Sequence, residues 1–462
     1  MNLPATFMEL SKPLLGSQWA AFLKALEEEP PVSIRMNPFK PWTDHSTESV
    51  PWCSDGYYLP LRPSFTFDPL FHAGCYYVQE ASSMFLEQAV KACVDRPVVC
   101  LDLCAAPGGK ATHLASILPE GSLLVADELI SNRAKVLSEN LVKWGNPATI
   151  VVNNDPRELG ALTGMFDLIV ADLPCSGEGM FRKDPDSIEE WSPAAVICCA
   201  ERQKRIIADV WPALKPGGWL IYSTCTYNTI ENEENIQWIS ETFDATVKTV
   251  PSEASWGIAG SFDGDLPVYR FLQHRTKGEG FFLALLQKKQ ESTQTYSSLN
   301  TITGNLTKRS KKGLRQKETM LPDELNSILT HPDRFSFFTN ETNELLAVPT
   351  VHAYSYLRLK DSLKVIHAGV PLGTFKGQDF VVHHALAMST ALRRGYFPEL
   401  PLNRREAIAF LQKAPYPTFP ANRRKGYHLV TFEEHPLGFI KHLGSRINNL
   451  YPSEWRIRKS CE

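Results

Sequence analysis

The chain has 462 residues, 43% of them hydrophobic and 21% charged, with a formal net charge of −3. At roughly 100–200 residues per domain that length gives about three domains, and it buries a sizeable core without disulfide staples. No stretch approaches about 18 consecutive apolar residues, which excludes a membrane-spanning helix. Met1-Asn2-Leu3-Pro4-Ala5-Thr6-Phe7 lacks the basic start and apolar core of a signal peptide. A cytoplasmic, monomeric protein is expected.

The ten cysteines suit a reducing compartment: Cys53, Cys75, Cys93, Cys100, Cys104, Cys175, Cys198, Cys199, Cys225 and Cys461. None stands in a C-x-x-C pair, so a zinc ribbon or a thioredoxin-type centre is not signalled and no metal site is expected. Most are expected to behave as small buried hydrophobes. From Ala391 onward 13 Lys and Arg face 6 Asp and Glu, a balance of +7 that leaves −10 for the preceding 390 residues. Such asymmetry points to a nucleic-acid-facing tail.

Residues 1–95 mix short helical stretches, such as Gln18–Glu28, with proline-punctuated turns. Pro30-Pro31 ends that helix, because proline lacks the backbone donor and its ring clashes with the preceding turn. Over 96–289 short runs of Val, Ile and Leu alternate with amphipathic stretches, the pattern of a parallel sheet covered by helices. Strands are predicted at Val98–Leu103, Leu123–Asp127, Thr149–Asn153, Leu168–Ala171, Trp219–Ser223 and Phe281–Gln287. Ser131 is the predicted N-cap, and Gly145 the stop, of the helix between the second and third strands. Residues 290–320 turn to Ser, Thr, Asn, Gln, Lys and Arg, a polar linker that contains the basic run from Lys308 to Lys317. Folded character returns over 321–462.

The strongest local signal is Asp102-Leu103-Cys104-Ala105-Ala106-Pro107-Gly108-Gly109-Lys110, a buried strand running through small residues into a helix. Small side chains let a ligand approach the backbone, and the helix N-terminus offers free N–H groups. The spacing is not the G-x-G-x-x-G of a dinucleotide dehydrogenase. At the end of the second strand Asp127 and Glu128 compete to accept both hydroxyls of a ribose, since alternation turns only one toward a ligand. Asp155, after the third strand, is a candidate for an adenine amino group or for the plain turn of Asn-Asn-Asp-Pro. Asp172 and Cys175 lie at the carboxyl end of the fourth strand and Cys225 at that of the fifth, where open α/β sheets place ligands. If those strands are neighbours, both thiols point into one cleft.

That pairing suggests a specific chemistry. Carbon 5 of a pyrimidine is too weak a nucleophile to take a methyl group unaided, whereas thiolate addition at carbon 6 makes an enamine able to attack the methyl of S-adenosylmethionine. The thiol, which titrates near about 8.5 when free, must be ionised for this, and Lys110 is a candidate cation.

These motifs resemble the Sun-domain (NSUN) family of RNA 5-methylcytosine methyltransferases, in particular its bacterial RsmF-type members. The likeness runs from Leu3-Pro4 through Arg35-Met36-Asn37, the cofactor loop, Asp172-Leu173-Pro174-Cys175 and Ser223-Thr224-Cys225. It implies an α/β fold: a Rossmann-like S-adenosylmethionine methyltransferase sheet with helices on both faces, a mixed N-terminal region that binds RNA or serves structure, and a C-terminal α+β PUA-like module. By resemblance Cys225 attacks carbon 6 and Cys175 assists release of the product. Cys104, Ala105, Ala106, Pro107, Gly108, Gly109 and Lys110 line the cofactor, Asp155 its adenine, and Asp172 the space between cofactor and cytosine. Glu128 is favoured for the ribose by its spacing to Arg133. The C-terminal likeness runs through Lys425-Gly426-Tyr427 and Leu443-Gly444-Ser445-Arg446 to Tyr451-Pro452. There Arg423-Arg424-Lys425 supply phosphate contacts, and Tyr451 and Trp455 are candidates either to stack bases or to fill the core. The substrate expected is RNA of the small ribosomal subunit, with tRNA as the alternative. A 2′-O-methyltransferase with a similar loop needs no thiol, and a non-catalytic rRNA-binding assembly factor needs neither cysteine.

Overall fold

The computed structural model describes residues 1–42, 48–290, 319, 325, 327–377, 379–414 and 424–459. Nearly all of the expected linker, with its basic run, lies outside the described residues, as do Arg423 and Cys461.

The chain opens with α1 (Ala5–Leu15) and α2 (Trp19–Leu26). The second is the helix expected over Gln18–Glu28, entered through a single 3-10 turn. Phe7, Leu15, Phe22 and Leu26 pack on Phe181, Trp191 and Tyr227 of the central region, so these helices brace the segment after the fourth predicted strand. Then follow β1 (Val32–Met36), β2 (Glu48–Ser49), β3 (Gly56–Leu59), α3 (Pro69–Ala73) and β4 (Tyr76–Val78), the strands forming an antiparallel sheet of order β2-β3-β1-β4.

The central region carries α4 (Leu86–Cys93), β5 (Val99–Leu103), α5 (Gly109–Ile117), β6 (Leu123–Asp127), α6 (Ser131–Trp144), β7 (Thr149–Val152), α7 (Pro156–Gly160) and β8 (Phe166–Asp172). It continues with α8 (Asp186–Glu190), α9 (Pro193–Val210), β9 (Leu214–Thr224), α10 (Glu233–Phe243), β10 (Ala245–Lys248), β11 (Val268–Phe271) and β12 (Phe281–Lys288). The sheet order is β10-β12-β9-β8-β5-β6-β7, with β11 on β12. Strands β5 to β9 run parallel and the rest antiparallel. Every residue of β6 and β7 is buried, which is why they read as continuous apolar runs: helices cover both faces. The neighbour relation of the two cysteine strands holds, with Asp172 opposite Ser223. Strand β9 starts at Leu214, five residues before the expected start, because Leu214 pairs with Phe166 across a register shift.

One helix start is corrected. Ile130, not Ser131, occupies the N-cap position of α6, and no side chain caps it. The Glu128 carboxylate accepts from the Ile130 amide at 2.9 Å, so the chain enters the helix one residue early. Gly145 ends the helix as expected, at φ +90°, where a Cβ would meet the Met388 carbonyl at 2.4 Å.

Beyond residue 321 come β13 (Phe335–Thr339), β14 (Glu344–Pro349), α11 (Ala353–Ser362), β15 (Val365–Ala368), β16 (Val370–Lys376) and β17 (Asp379–Val382). An antiparallel sheet of order β13-β14-β16-β17 leaves out β15, which instead pairs with β7, Val365 opposite Val152. A strand from beyond residue 321 thus covers the open edge of the central sheet. Last are α12 (His384–Met388), β18 (Glu399–Pro401), α13 (Arg404–Leu411), β19 (Gly426–Phe432), β20 (His435–His442) and β21 (Ile447–Asn449), with sheet order β18-β19-β20-β21. Phe410, Val430, Ile440 and Tyr451 share a core with Ile34, Leu70 and Tyr76 of the N-terminal region. Tyr451 is 1% exposed and packs edge-on against His384 and Phe410, so it is core and unable to stack a base. No helix among the described residues is long and apolar enough to cross a membrane.

Candidate active site

At the carboxyl end of β5 the chain turns through Cys104, at φ +61°, into the small-residue loop and then α5. Gly108 is the N-cap at φ +116°, and a Cβ there would sit 3.3 Å from the Asn140 side chain, so glycine lets loop and α6 close on each other. Groups from outside the loop hold its backbone. Arg133 Nη2 donates to the Ala106 carbonyl at 3.0 Å, Asn140 Nδ2 to the Pro107 carbonyl at 2.8 Å, and the Ala105 amide to the Asp127 carbonyl at 2.8 Å. Arg35 of β1, itself 1% exposed, reaches the Gly109 carbonyl and Thr112 Oγ1.

Beside the loop lies a cavity of about 190 Å³ walled by Cys104, Ala105, Ala106, Pro107, Gly109 and Lys110, with Asp102 and Asp172. Its other wall comes from Tyr77 of β4 and from the turn that follows that strand, through Gln79, Glu80 and Ser83, which carried no signal in the sequence. Glu80 is fixed by amides of Ser82, Ser83 and Glu279. Asp102 is buried, and among the described residues neither of its carboxylate oxygens has a hydrogen-bond partner. Burial, against the pull of Lys110, pushes its pKa up to about 8. A carboxylate aimed into a cavity with nothing to meet it suits a cationic amino group.

Lys110 Nζ lies 2.8 Å from Asp172 Oδ2, and Ser223 Oγ donates to Asp172 Oδ1 at 2.8 Å. Burial works against the Lys110 charge, but Asp172, then Asp102 and Cys225, outweigh it and hold the pKa above the ordinary lysine value. Next to this pair Cys175 and Cys225 bring their sulfurs 3.1 Å apart, both half-buried, with the Cys225 amide donating to Cys175 Sγ at 3.3 Å. The hydrogen bond to Cys225, followed by burial, drives the Cys175 thiol well above its ordinary pKa. A protonated thiol at Cys175 can donate to a neighbouring thiolate.

The two acidic candidates after β6 separate in the structure. Asp127 turns inward to accept from the Asn154 amide. Glu128 Oε2 makes no hydrogen bond among the described residues and lies 3.4 Å from Arg133 Nη1. Asp155 stands apart from the cavity: it caps α7 in a reciprocal box with Glu158, and the Arg157 guanidinium beside it holds its carboxyl below the usual range. The fold also assembles a buried trio, Cys53, Glu87 and His113, whose ligand-type atoms lie within 4.8 Å of one another. Its Glu87 already accepts from Ser54 and Lys91. Cysteine spacing gave no sign of it, because its members come from separate parts of the chain.

The orphaned Asp102 carboxylate, the Glu128 oxygen held only by its ion pair with Arg133, and the small-residue loop fit a nucleoside cofactor with an amino-acid arm, which is the make-up of S-adenosylmethionine. Comparison with known proteins agrees. Family models match over residues 94–287 (16S rRNA methyltransferase RsmB/F), 3–81 (N-terminal domain of 16S rRNA methyltransferase RsmF) and 397–457 (methyltransferase RsmF PUA domain). The ribosomal RNA small subunit methyltransferase F of Salmonella arizonae is 31% identical over 418 residues, spanning 88% of this chain and 84% of that protein. The one from Shewanella loihica is 31% identical over 438 residues, 90% of this chain and 85% of the relative. A methyltransferase homologue from Pyrococcus horikoshii superposes with TM-score 0.52 at 28% identity, covering 61% of this chain and 94% of that one. Another from the same organism, NSun6 with SFG, shares the fold at TM-score 0.53 and 21% identity, covering 62% and 99% of the two chains. The chain belongs to the ribosomal RNA small subunit methyltransferase F family.

Proposed function

We propose that this protein methylates carbon 5 of cytosine in RNA of the small ribosomal subunit, through a covalent cysteine–cytosine intermediate. The observation that carries the reading is the pair of sulfurs 3.1 Å apart beside the Lys110–Asp172 ion pair. A ribose methyltransferase or a pure binding module has no use for such a pair.

Asp102 would hold the amino group of S-adenosylmethionine, Glu128 its ribose, and the Cys104–Lys110 loop its sulfonium-bearing chain. Bound there, the cofactor supplies an electrophilic methyl group for carbon 5. The target cytosine must leave its stack to enter the cleft. Cys225, as thiolate, adds to carbon 6, and the ring electrons move to carbon 5. The Cys175 thiol donates to the Cys225 sulfur before attack and steadies it as the leaving thiolate. Asp172, oriented by Lys110 and Ser223, accepts a hydrogen bond from the exocyclic amine or from a protonated ring nitrogen. After methylation a base removes the carbon 5 proton, the double bond re-forms, and Cys225 is expelled. Asp155, spent on capping α7, sits near this end of the sheet, and its contact with adenine requires the Arg157 pair to open.

Replacing Cys225 with Ala should abolish methyl transfer while leaving S-adenosylhomocysteine binding intact. Replacing Cys175 should accumulate a protein–RNA adduct that survives a denaturing gel. Nucleoside mass spectrometry of reacted RNA distinguishes 5-methylcytidine from a ribose-methylated product. Wild-type turnover by the Cys225 variant would overturn the assignment.

A further inference from the structure

The two cysteine-bearing loops are joined by a reciprocal pair of buried carboxylates. Glu231, in the loop that follows Cys225, is 0% exposed and accepts from the Ser176 amide, the residue after Cys175, at 3.0 Å. Its two oxygens also accept from Asn228 Nδ2 and Gln203 Nε2, each at 2.8 Å. Gln203 in turn donates to the Pro174 carbonyl at 2.9 Å, so both neighbours of Cys175 are gripped from one point. In the opposite sense Glu178, in the loop that follows Cys175, accepts from the amides of Tyr227 and Asn228 at 2.8 and 2.9 Å, just past Cys225. Its other oxygen takes the indole N–H of Trp191 at 3.0 Å.

Between these grips the backbones touch. The Gly179 amide donates to the Cys225 carbonyl at 2.9 Å, and a Cβ on Gly179 would lie 2.9 Å from that same oxygen. Every partner of the two carboxylates is a donor, so only a group that accepts at both oxygens fits either place. Charge-assisted bonds to backbone amides are among the stronger available, and here they cross from one loop to the other.

We propose that Glu178 and Glu231 are positioning residues that set the distance between the attacking sulfur and its partner thiol. Each loop lends a carboxylate to the backbone of the other, so neither cysteine can drift without breaking bonds on both sides. The proposal rests on the methylation reading above, since it assigns a catalytic purpose to the sulfur pair. Neither glutamate touches RNA or cofactor in it.

The test uses the full chain with Glu178→Gln and Glu231→Gln. An amide places N–H groups against donors at both sites, while volume is kept. Gln203→Met serves as a third variant that leaves both carboxylates in place, removing the bonds to Glu231 and to the Pro174 carbonyl together with those accepted from Tyr222 and Asn235. Diamide oxidation followed by intact mass and peptide mapping reads sulfur proximity without activity. Wild type should form the Cys175–Cys225 disulfide, and the Gln variants should retain separately alkylatable thiols. S-adenosylhomocysteine affinity should stay at the wild-type value, which reports that the fold is intact. Methylation rate, and adduct formation in the Cys175→Ala background, should fall by about 100-fold, the scale of a displacement near 1 Å in a reacting group. Wild-type disulfide yield and turnover in all three variants would overturn the clamp. Loss of the disulfide in the variants, combined with no RNA adduct from any form of the protein, would uphold the clamp and remove the methylation reading instead.

Discussion

Asp102 offers the sharpest quantitative test. Its carboxyl group is 0% exposed, has no hydrogen-bond partner among the described residues, and is pushed by burial from 3.8 to about 8 in the folded chain. Between those values the folded state binds more protons than the unfolded state, so stability falls as pH rises from about 4 to about 8. At about 1.36 kcal/mol per pH unit, the cofactor-free protein gives up about 4 kcal/mol at pH 7 relative to pH 4. Asp102→Asn removes the titration at nearly constant volume, and its buried amide costs about what the protonated acid costs. The variant should match wild type near pH 4 and become more stable as pH rises, by an amount approaching about 4 kcal/mol at pH 7. Urea denaturation at several pH values, without cofactor, measures it. S-adenosylhomocysteine affinity should move the other way and fall at least about tenfold, a group gaining stability at the expense of function. A stability difference that does not change with pH would show that Asp102 is already ionised and compensated, and the argument would fail.

Gly74 sits at φ +73°, and a Cβ there would lie 2.0 Å from the Lys143 carbonyl, so Gly74→Ala should cost about 3 kcal/mol or more in chemical denaturation. Tyr451 is buried with its hydroxyl unpartnered among the described residues; Tyr451→Phe should leave RNA affinity unchanged and match or exceed wild-type stability by up to about 1 kcal/mol in the same assay. Truncation after residue 290 strips β15 from β7 and exposes a fully buried strand as an edge; the fragment should aggregate in light scattering where the full chain does not.

Much of the central sheet was legible because burial on both faces forces continuous apolar runs. Strand β6 matches its predicted span of Leu123–Asp127, and Gly145 ends α6 because only glycine is comfortable at that left-handed turn. The cysteine pair was legible for a similar reason: topology places the ends of adjacent parallel strands side by side. Ser131 misled, since the cap of α6 depends on how Glu128 bends the chain before it. Asp155 was ambiguous, as the same side chain suits an adenine or a helix start. Gln79 and Glu80 of the cavity wall were invisible, because they approach the loop from the turn after β4, a distant part of the chain.

What the amino acids determined on their own is therefore local and periodic: which segments bury both faces, where small residues must turn, and which thiols end neighbouring strands. What only the tertiary structure decided depends on contacts between segments far apart in the chain. It placed the N-terminal sheet against the small-residue loop, a strand from beyond residue 321 at the sheet edge, and the carboxylates of Glu178 and Glu231 on each other's loops. Periodicity records what a segment buries, but not which distant segment buries it.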